Sequence, residues 1–481
     1  MGELQKVVSD DSKMVVYQKF GVIGSTLVFA VLQKLKFQIF RLFIVYDTCR
    51  RTRICDNSTG LLNSTDVYFR DENVSNYLFK SLIINNAVSV FPCIFLAAWS
   101  DKHGRKALLS LPFVGSFLGD ILMLVLLYIP TASRNLLLLS EALHGFFGGT
   151  VLIGLGCLCY LTDSTDHRLR TWFIGLFLGG LNFLPVIEMT FQYYFTPLRI
   201  PLDFQTLILI GISVRMFFTV YFLVYIKVFV VESVFVLGSY HGNPWTNLLT
   251  PINVSDTVNC VFKRRLDNMR FFIIALCTVF IFYSFVLYGN LIVWTRHFWE
   301  FFRWPLKDVL LFSGTYASCQ TLTLWISIYS ALKCRVLDIE LGIYGTLSLA
   351  ASCITLTFIR NSWLAVMGAL IGIASLLIPT SILSVLSKLI ERVETGSMYA
   401  GIGFLMLLSQ LMSIPSYRAL YEVCAEAGIP QVTFLLSFGF ATFGMLFFIY
   451  LKKHIAPDLL GHLNGSESLA LISRKTEHLF Q

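Results

Sequence analysis

The sequence predicts an all-α membrane protein of twelve transmembrane helices, arranged as two six-helix halves with both termini in the cytoplasm. Apolar residues make up 56% of the 481 residues and charged residues only 14%, an apolar share above that of soluble domains. The apolar residues fall into runs long enough to cross a bilayer, which takes about 20 residues for each helix. A long polar stretch separates six of these runs from six more.

The runs follow one another in chain order and define the halves. Those of the first half lie near 20–46, 77–99, 107–128, 136–161, 171–195 and 204–230. Those of the second half lie near 271–294, 308–332, 339–359, 363–385, 397–418 and 431–451. An even number of helices in each half returns the chain to the side on which it started. The predicted units are an N-terminal half, a cytoplasmic linker, a C-terminal half and a cytoplasmic tail, at 1–231, 232–270, 271–452 and 453–481.

Charges outside the runs support this orientation. The formal net charge is +8, and basic residues of membrane proteins collect in cytoplasmic loops. The linker carries Asn243-Pro244, Pro251 and the cluster Lys263-Arg264-Arg265, which predicts a solvated basic loop rather than a binding site. The basic balance is therefore a feature of membrane topology, and we expect no nucleic-acid partner.

A short polar stretch between the second and third runs, Ala97 to Lys106, reads A-A-W-S-D-K-H-G-R-K. Gly104 supplies a permissive backbone for a tight turn, and the two cations that follow it suit the cytoplasmic side. The stretch resembles the loop between helices two and three of major facilitator transporters, G-x-x-x-D-x-x-G-R-[RK], with Ala97 at the first glycine. That resemblance implies the major facilitator fold and a carboxylate that bridges to a neighbouring helix end. It assigns gating roles to Asp101, Gly104, Arg105 and Lys106. The alternative is a basic loop that only sets the topology.

Three further stretches narrow the resemblance. They are Ala98-Trp99-Ser100-Asp101, Asp163 through Arg170-Thr171, and L-S-K-L-I-E-R-V-E-T-G from Leu386 to Gly396. They resemble solute carrier family 46, the group that contains the proton-coupled folate transporter. The resemblance implies proton-coupled secondary transport of a bulky organic anion such as a folate, a cyclic dinucleotide or a bacterial glycopeptide fragment. Leu178 stands where the folate branch has a glutamate, so the family's coupling residues do not carry over unchanged.

Ionisable residues inside the predicted helices are candidates for function because a charge in the bilayer is costly unless it is paired or hydrated. The candidates for binding the substrate anion are Lys36, Arg215, Lys34 and Gln33. Lys34 and Lys36 are two residues apart, which places them on different faces of one helix. One of them is expected to line the cavity, and the other to pair with Asp120 or Glu188 or to reach the membrane surface. For Arg215, a buried ion pair is an equal alternative to a ligand role.

Proton coupling is assigned to carboxylates and an imidazole of the first half. The candidates are Glu141, His144, Asp120 and Glu188. Glu141 and His144 are three residues apart and share a helix face, and histidine titrates near neutral pH. The alternative is a static polar contact between helices.

The first polar loop is predicted to face an oxidising, non-cytoplasmic space. It holds three N-glycosylation sequons, at Asn57, Asn63 and Asn73. Cys49 and Cys55 lie in the same loop and are predicted to be oxidised. Cys424, in the predicted loop between the last two helices, is the competing disulfide partner.

Other classes of protein are less consistent with the sequence. The remaining cysteines lack the spacing of a zinc site, and no hydrolase, zinc-protease or Walker A motif is present. We therefore expect no enzyme activity, no cofactor and no metal. The expected partners are a small organic anion, protons and the lipid bilayer. The alternative function is a sensor or docking protein that has a transporter fold but moves no solute.

The tail contains the segment E-S-L-A-L-I from Glu467 to Ile472. It resembles the acidic dileucine signal that binds sorting adaptors, although so short a pattern also arises by chance. A sorting adaptor is thus a possible partner, and the predicted location is the plasma membrane, the endolysosomal membrane or both.

Overall fold

A computed structural model describes residues 17–39, 72–129, 135–190, 204–224, 248, 250–265, 269–334 and 336–454. Every regular element in these residues is helical, which confirms the all-α prediction. The first half contains α1 Tyr17–Ile39, α2 Glu72–His103, α3 Lys106–Tyr128, α4 Asn135–Phe146, α5 Gly149–Ser164, α6 His167–Asn182, α7 Leu184–Thr190 and α8 Phe204–Val224.

The linker and the second half continue the series. They contain α9 Pro251–Phe262, α10 Met269–Arg296 with a π turn His297–Phe301, α11 Leu306–Cys334, α12 Asp338–Phe358, α13 Ser362–Ile371, α14 Leu377–Leu389, α15 Thr395–Glu426 and α16 Thr433–His454. Short 3₁₀ turns precede α14, α15 and α16, at Gly372–Leu376, Arg392–Glu394 and Pro430–Val432.

Within the described residues, ten helical stretches are long and apolar enough to cross a membrane. The chain is therefore a multi-pass membrane protein. Two other helices, α8 and α11, lie at the predicted sixth and eighth spans. The apolar part of α8 is short, at Ile208–Tyr221, and α11 carries Ser, Thr and Gln side chains along its length. The count of twelve spans and the cytoplasmic position of the termini stay predictions.

The fourth span is interrupted between α4 and α5. Gly148 and Gly149 both have positive φ angles, at 92° and 54°, a backbone region that favours glycine over residues with a Cβ atom. A Cβ at Gly148 would also lie 2.3 Å from a methyl carbon of Leu152. The break comes after Phe146, so Glu141 and His144 lie in the last turns of α4.

The two halves pack against each other through pairs of helices. Helix α2 contacts α15, α5 contacts α15, and α6 contacts α11 and α14. Glycines permit the close approach: a Cβ at Gly175 would lie 2.1 Å from Ile328, and one at Gly403 would lie 2.4 Å from Leu155. Small residues at helix crossings are the usual means of close packing in membranes.

The expectation of a solvated loop is wrong for residues 251–262 of the linker. These residues form α9, which packs against α2, α10 and α15. Pro251 occupies the first turn, where proline initiates a helix rather than breaking one. The buried residues of α9 are Asn253, Thr257 and Cys260, so its inward face carries no apolar stripe that a sequence pattern would reveal. The boundaries of the linker stay a prediction.

Candidate ion-paired site and gate

Four charged side chains of the first half meet in its interior. Lys36 of α1 places its Nζ 3.7 Å from Asp120 Oδ1 and 3.4 Å from Glu141 Oε1. The same Nζ donates a hydrogen bond to Ser140 Oγ at 3.0 Å. The Lys36 side chain is 4% exposed, so these contacts are made away from water.

The fourth charge is Arg215 of α8, which is 1% exposed. Its Nη1 forms an ion pair with Asp120 Oδ2 and donates to the Ser116 carbonyl at 3.3 Å. Its Nη2 donates to Gln33 Oε1 at 3.4 Å. We refer to Lys36, Asp120, Glu141 and Arg215 as the ionic cluster. Two positive and two negative charges from four helices make its formal charge zero.

Neutral groups complete the surroundings of the cluster. Asn85 Nδ2 donates to Glu141 Oε2 at 2.9 Å, and Ser140 Oγ donates to the Gly119 carbonyl at 2.7 Å. A Cβ at Gly119 would lie 3.1 Å from the Lys36 Nζ, so glycine leaves the room that the ammonium group occupies. None of these neutral residues was predicted, because Asn, Ser and Gly are common in apolar helices and nothing in the sequence marks these ones.

Of the predicted pair, Glu141 belongs to the ionic cluster and His144 lies beside it, and each residue has its own partner. Glu141 is bonded to Asn85 and Lys36, whereas His144 Nδ1 is 2.8 Å from Ser116 Oγ. The imidazole also stacks on Phe29, with ring centroids 5.9 Å apart. Because the Ser116 carbonyl accepts a hydrogen bond from the Arg215 guanidinium, this serine connects His144 to the cluster.

Other candidate residues lie elsewhere. Lys34 is partly exposed on α1, while Lys36 is buried. The backbone of Glu188 lies on α7 and that of Asn73 on α2, but their side chains are outside the described part of the chain. The described residues do not include Cys49, Cys55, Asn57, Asn63 or the tail segment. Glycosylation, the disulfide and the sorting signal stay predictions.

A polar contact between the halves lies at the turn between α2 and α3. Asp101 accepts hydrogen bonds from the backbone N–H groups of Gly396 and Ser397, both at 2.7 Å, and from Ser397 Oγ at 2.9 Å. Arg105 Nη1 lies 2.8 Å from Asp101 Oδ1, and Arg105 Nε lies 2.9 Å from Asp163 Oδ2. We call this set the first clasp. It attaches the end of α2 to the start of α15.

Two more of the predicted gating residues shape the turn itself. Gly104 has a φ of 92°, so it makes the left-handed turn that a bulkier residue would strain. Lys106 is the first residue of α3. Ala97, at the position of the motif's first glycine, is fully buried, and its carbonyl lies beside Gly396.

A second polar contact, which was not predicted, joins the halves at α6. Asp338, at the start of α12, accepts from Lys388 Nζ at 2.6 Å, Ser384 Oγ at 2.7 Å and Thr171 Oγ1 at 3.1 Å. Arg170 Nη1 donates to the Ser387 carbonyl at 2.6 Å. We call this set the second clasp. The clue in the sequence was that Arg170-Thr171 and Lys388 lie in two stretches that support the family resemblance.

The linker helix also connects the two halves. Asp256 pairs with Lys102 at the end of α2, at 2.7 Å. Lys263 and Arg265 pair with Glu394, which precedes α15, at 2.7 and 2.6 Å. Burial acts to raise the pKa of Glu394, but hydrogen bonds from the two cations outweigh it, so the pKa lies below its usual value. The carboxylate is therefore held ionised.

These features define a class of protein. A multi-pass helical chain with a buried ionic cluster in one half and polar clasps between the halves has the architecture of a secondary transporter. Comparison with solved structures shows the major facilitator fold. The human organic anion transporter MFSD10 (TETRAN) superimposes with a TM-score of 0.62 at 12% identity, covering 91% of this chain and 99% of that one. The proton:xylose symporter XylE gives 0.60 at 13% identity, covering 90% and 96%.

Sequence relatives come from solute carrier family 46. A probable peptidoglycan muropeptide transporter of Drosophila melanogaster is 23% identical over 376 residues, 73% of this chain and 69% of the relative. The lysosomal proton-coupled steroid conjugate and bile acid symporter SLC46A3 of Gallus gallus is 24% identical over 371 residues, 76% of each chain. No protein family model matches. The resemblance to this family is confirmed, and the similarity is to transporters rather than to enzymes.

Proposed function

We propose that the protein is a secondary transporter that moves a bulky organic anion by alternating access, together with protons. The observation that carries this proposal is the charge balance of the ionic cluster. Lys36 and Arg215 could attract an anion, yet both are already paired with carboxylates. An added anion would leave the cluster with a net negative charge, which is costly in a buried site.

A proton removes that cost. Asp120 lies next to two cations, whereas Glu141 lies next to one cation and an amide. Protonation of Glu141 would break one ion pair, whereas protonation of Asp120 would break two, so we assign the proton to Glu141. Protonated Glu141 leaves Lys36 and Arg215 sharing one carboxylate. The cluster then holds one uncompensated positive charge, which the anionic substrate neutralises. In this scheme one proton accompanies one negative charge.

The two clasps provide the gate. Both join the halves through carboxylates, and the Asp101 carboxylate is bonded directly to the backbone at the start of α15. Water can replace such hydrogen bonds at little net cost, so the polar part of this contact can open readily. Opening at the clasp end and closure at the opposite end would expose the substrate to the two sides of the membrane in turn.

A neutral, partly aromatic surface between the halves suits the body of a bulky substrate. Asn182 of α6 donates to Gln320 Oε1 at 3.3 Å and to the Ala317 carbonyl at 3.1 Å. The indole N–H of Trp325 is buried without a hydrogen-bond acceptor in the described residues, so it is a donor that a substrate could use. The substrates in the relatives' names, steroid conjugates, bile acids and muropeptides, combine an anionic group with a large body.

We place the protein in the endolysosomal membrane, with a further pool at the plasma membrane. The support for this location is the name of the SLC46A3 relatives, which describes them as lysosomal, and the predicted sorting signal. An acidic lumen would supply the protons that drive export to the cytosol.

Uptake by cells that express the protein at their surface tests the function. The probes are a labelled steroid sulfate, a bile acid and muramyl dipeptide, at acidic and neutral external pH. Wild-type uptake should be faster at acidic pH, and Glu141→Gln should make it independent of pH. Glu422→Gln is the matched control, because Glu422 pairs with Arg296 and Arg418 far from the cluster in sequence. No uptake of any probe, or full acid stimulation in Glu141→Gln, would contradict the proposal.

A further inference from the structure

An open groove lies between α2 and the linker helix α9, apart from the ionic cluster. Its volume is about 480 Å³, and its walls are Phe95, Pro251, Val254, Ser255, Val258 and Asn259. This volume is within the range of small-molecule sites. The lining is largely apolar and contains no charged side chain, so the groove suits a hydrocarbon chain rather than the anionic substrate.

The outward face of α9 carries three large apolar side chains beside the exposed Ser255 and Asn259. Ile252, Val258 and Phe262 are 56%, 50% and 53% exposed, whereas the buried residues Asn253, Thr257 and Cys260 point inward. A surface helix in water has the opposite arrangement, with its apolar stripe toward the core. These three exposed side chains of α9 therefore suit contact with an apolar medium.

The groove is continuous with a membrane-spanning surface. Phe95 lies one helical turn after Phe91 on α2, and their rings are 4.7 Å apart. Phe91 is 44% exposed on a helix that is apolar enough to span the bilayer. A lipid acyl chain that lies against Phe91 can thus extend past Phe95 into the groove without leaving an apolar surface.

Basic residues follow the C-terminal end of α9. Three consecutive cations, Lys263, Arg264 and Arg265, follow α9. Glu394 is the carboxylate partner of both Lys263 and Arg265, so the three cations outnumber their described counter-charge. Arg264 is exposed and has no ion pair among the described residues. Basic residues beside an amphipathic helix attract anionic lipid headgroups.

We propose that the groove binds an anionic phospholipid, with one acyl chain between α2 and α9 and the headgroup at Arg264. Since Asp256 of α9 pairs with Lys102 of the first half and the cations after α9 pair with Glu394 of the second, a lipid that holds α9 in place also stabilises the clasp end of the protein. Anionic lipid is then a regulator of the gate and not a transported substrate.

Thermal unfolding of the detergent-purified full chain, with added phosphatidylserine or phosphatidylcholine, tests the proposal without any transport assay. Phosphatidylserine should raise the wild-type Tm by several degrees more than phosphatidylcholine does. Val258→Trp fills the groove and should abolish this difference. Val220→Trp is its control, because Val220 is 54% exposed on α8 and should retain the difference.

A second pair of variants tests the headgroup contact. Arg264→Gln should lose the preference for phosphatidylserine, whereas Arg360→Gln, at an exposed site between α12 and α13, should keep it. Mass spectrometry of co-purified lipid should show less phosphatidylserine on Val258→Trp and Arg264→Gln. Equal stabilisation of the wild type by both lipids, or an unchanged preference in both groove variants, would overturn the proposal.

Discussion

The interiors of the two halves differ in how their buried polar groups are paired. In the first half, Lys36 and Arg215 share Asp120 away from water. In the interior of the second half, Ser437 bonds to Asn290 at 2.7 Å and to Tyr417 at 2.8 Å, so neutral groups form the contact. A neutral contact keeps the same charge whatever the pH, whereas an ionic one responds to protons and anions. The proposed proton coupling therefore rests on the ionic cluster of the first half.

The charges of the second half lie near the ends of its helices. Arg296 pairs with Glu300 and Glu422, at 2.8 and 2.9 Å, and the three side chains are 31%, 33% and 43% exposed. Next to them, His297 is buried and stacks on Phe301 with centroids 4.9 Å apart. The sequence did not lead us to His297, because the predicted span ended at 294 and the π turn extends the helical segment beyond it.

The largest expected effect comes from breaking the ionic cluster. Asp120→Asn leaves Lys36 and Arg215 with one fewer buried carboxylate, and removal of one partner of a buried pair typically costs about 3 to 5 kcal/mol. Ser437→Ala, in the neutral contact of the second half, should cost less, about 1 to 3 kcal/mol. The free energy of unfolding in detergent measures both losses of stability.

A solvent-exposed ion pair supplies the control for that comparison. Asp256→Asn removes a pair in which Asp256 is 36% exposed, so its effect should stay within about 1 kcal/mol. Equal losses of stability in Asp120→Asn and Ser437→Ala would mean that breaking the ionic cluster costs no more than breaking a neutral hydrogen bond.

The next effect concerns the first clasp. A Cβ at Gly396 would lie 2.4 Å from the Ala97 carbonyl and 2.6 Å from Asp101 Oδ1, so Gly396→Ala should cost about 1 to 3 kcal/mol by overpacking. Gly401→Ala, on the same helix, meets only ordinary contacts at 3.7 Å and beyond. A cysteine introduced at the first clasp should react more with a thiol reagent in Gly396→Ala, but not in Gly401→Ala. Equal labelling in both variants would mean that the first clasp does not hold the gate closed.

The smallest effect is at the linker. The pKa of Glu394 is lowered, so its pairing with Lys263 and Arg265 is present above the ordinary glutamate pKa of about 4.3 and is lost as the pH falls through the lowered value. Each of these partly exposed pairs is expected to contribute about 1 kcal/mol. Amide hydrogen exchange of residues 251–262, corrected for intrinsic rates, measures this effect. As the pH falls, protection should be lost at a higher pH in Arg265→Gln than in the wild type. The same midpoint in both proteins would contradict this.

The sequence predicted the helical architecture because apolar runs and their spacing are local properties. It also identified Lys36, Asp120, Glu141 and Arg215 one by one, because charges are rare inside apolar runs. It offered Asp120 as one partner for a lysine of α1 and an ion pair as one alternative for Arg215. It did not decide between the alternatives, since the rotation of each helix depends on its neighbours. The second clasp was missed for a different reason: a carboxylate such as Asp338 at the start of a helix is common.

Proton movement that accompanies substrate uptake tests the central claim most directly. Purified protein in liposomes that contain a pH-sensitive dye is given the steroid conjugate or bile acid that the cells take up best. The wild type should acidify the lumen as the substrate enters, and it should accumulate the substrate when an inward proton gradient is imposed. Glu141→Gln should exchange substrate across the membrane without acidification or accumulation. Substrate-dependent acidification that persists in Glu141→Gln would contradict the assignment of proton coupling to the ionic cluster.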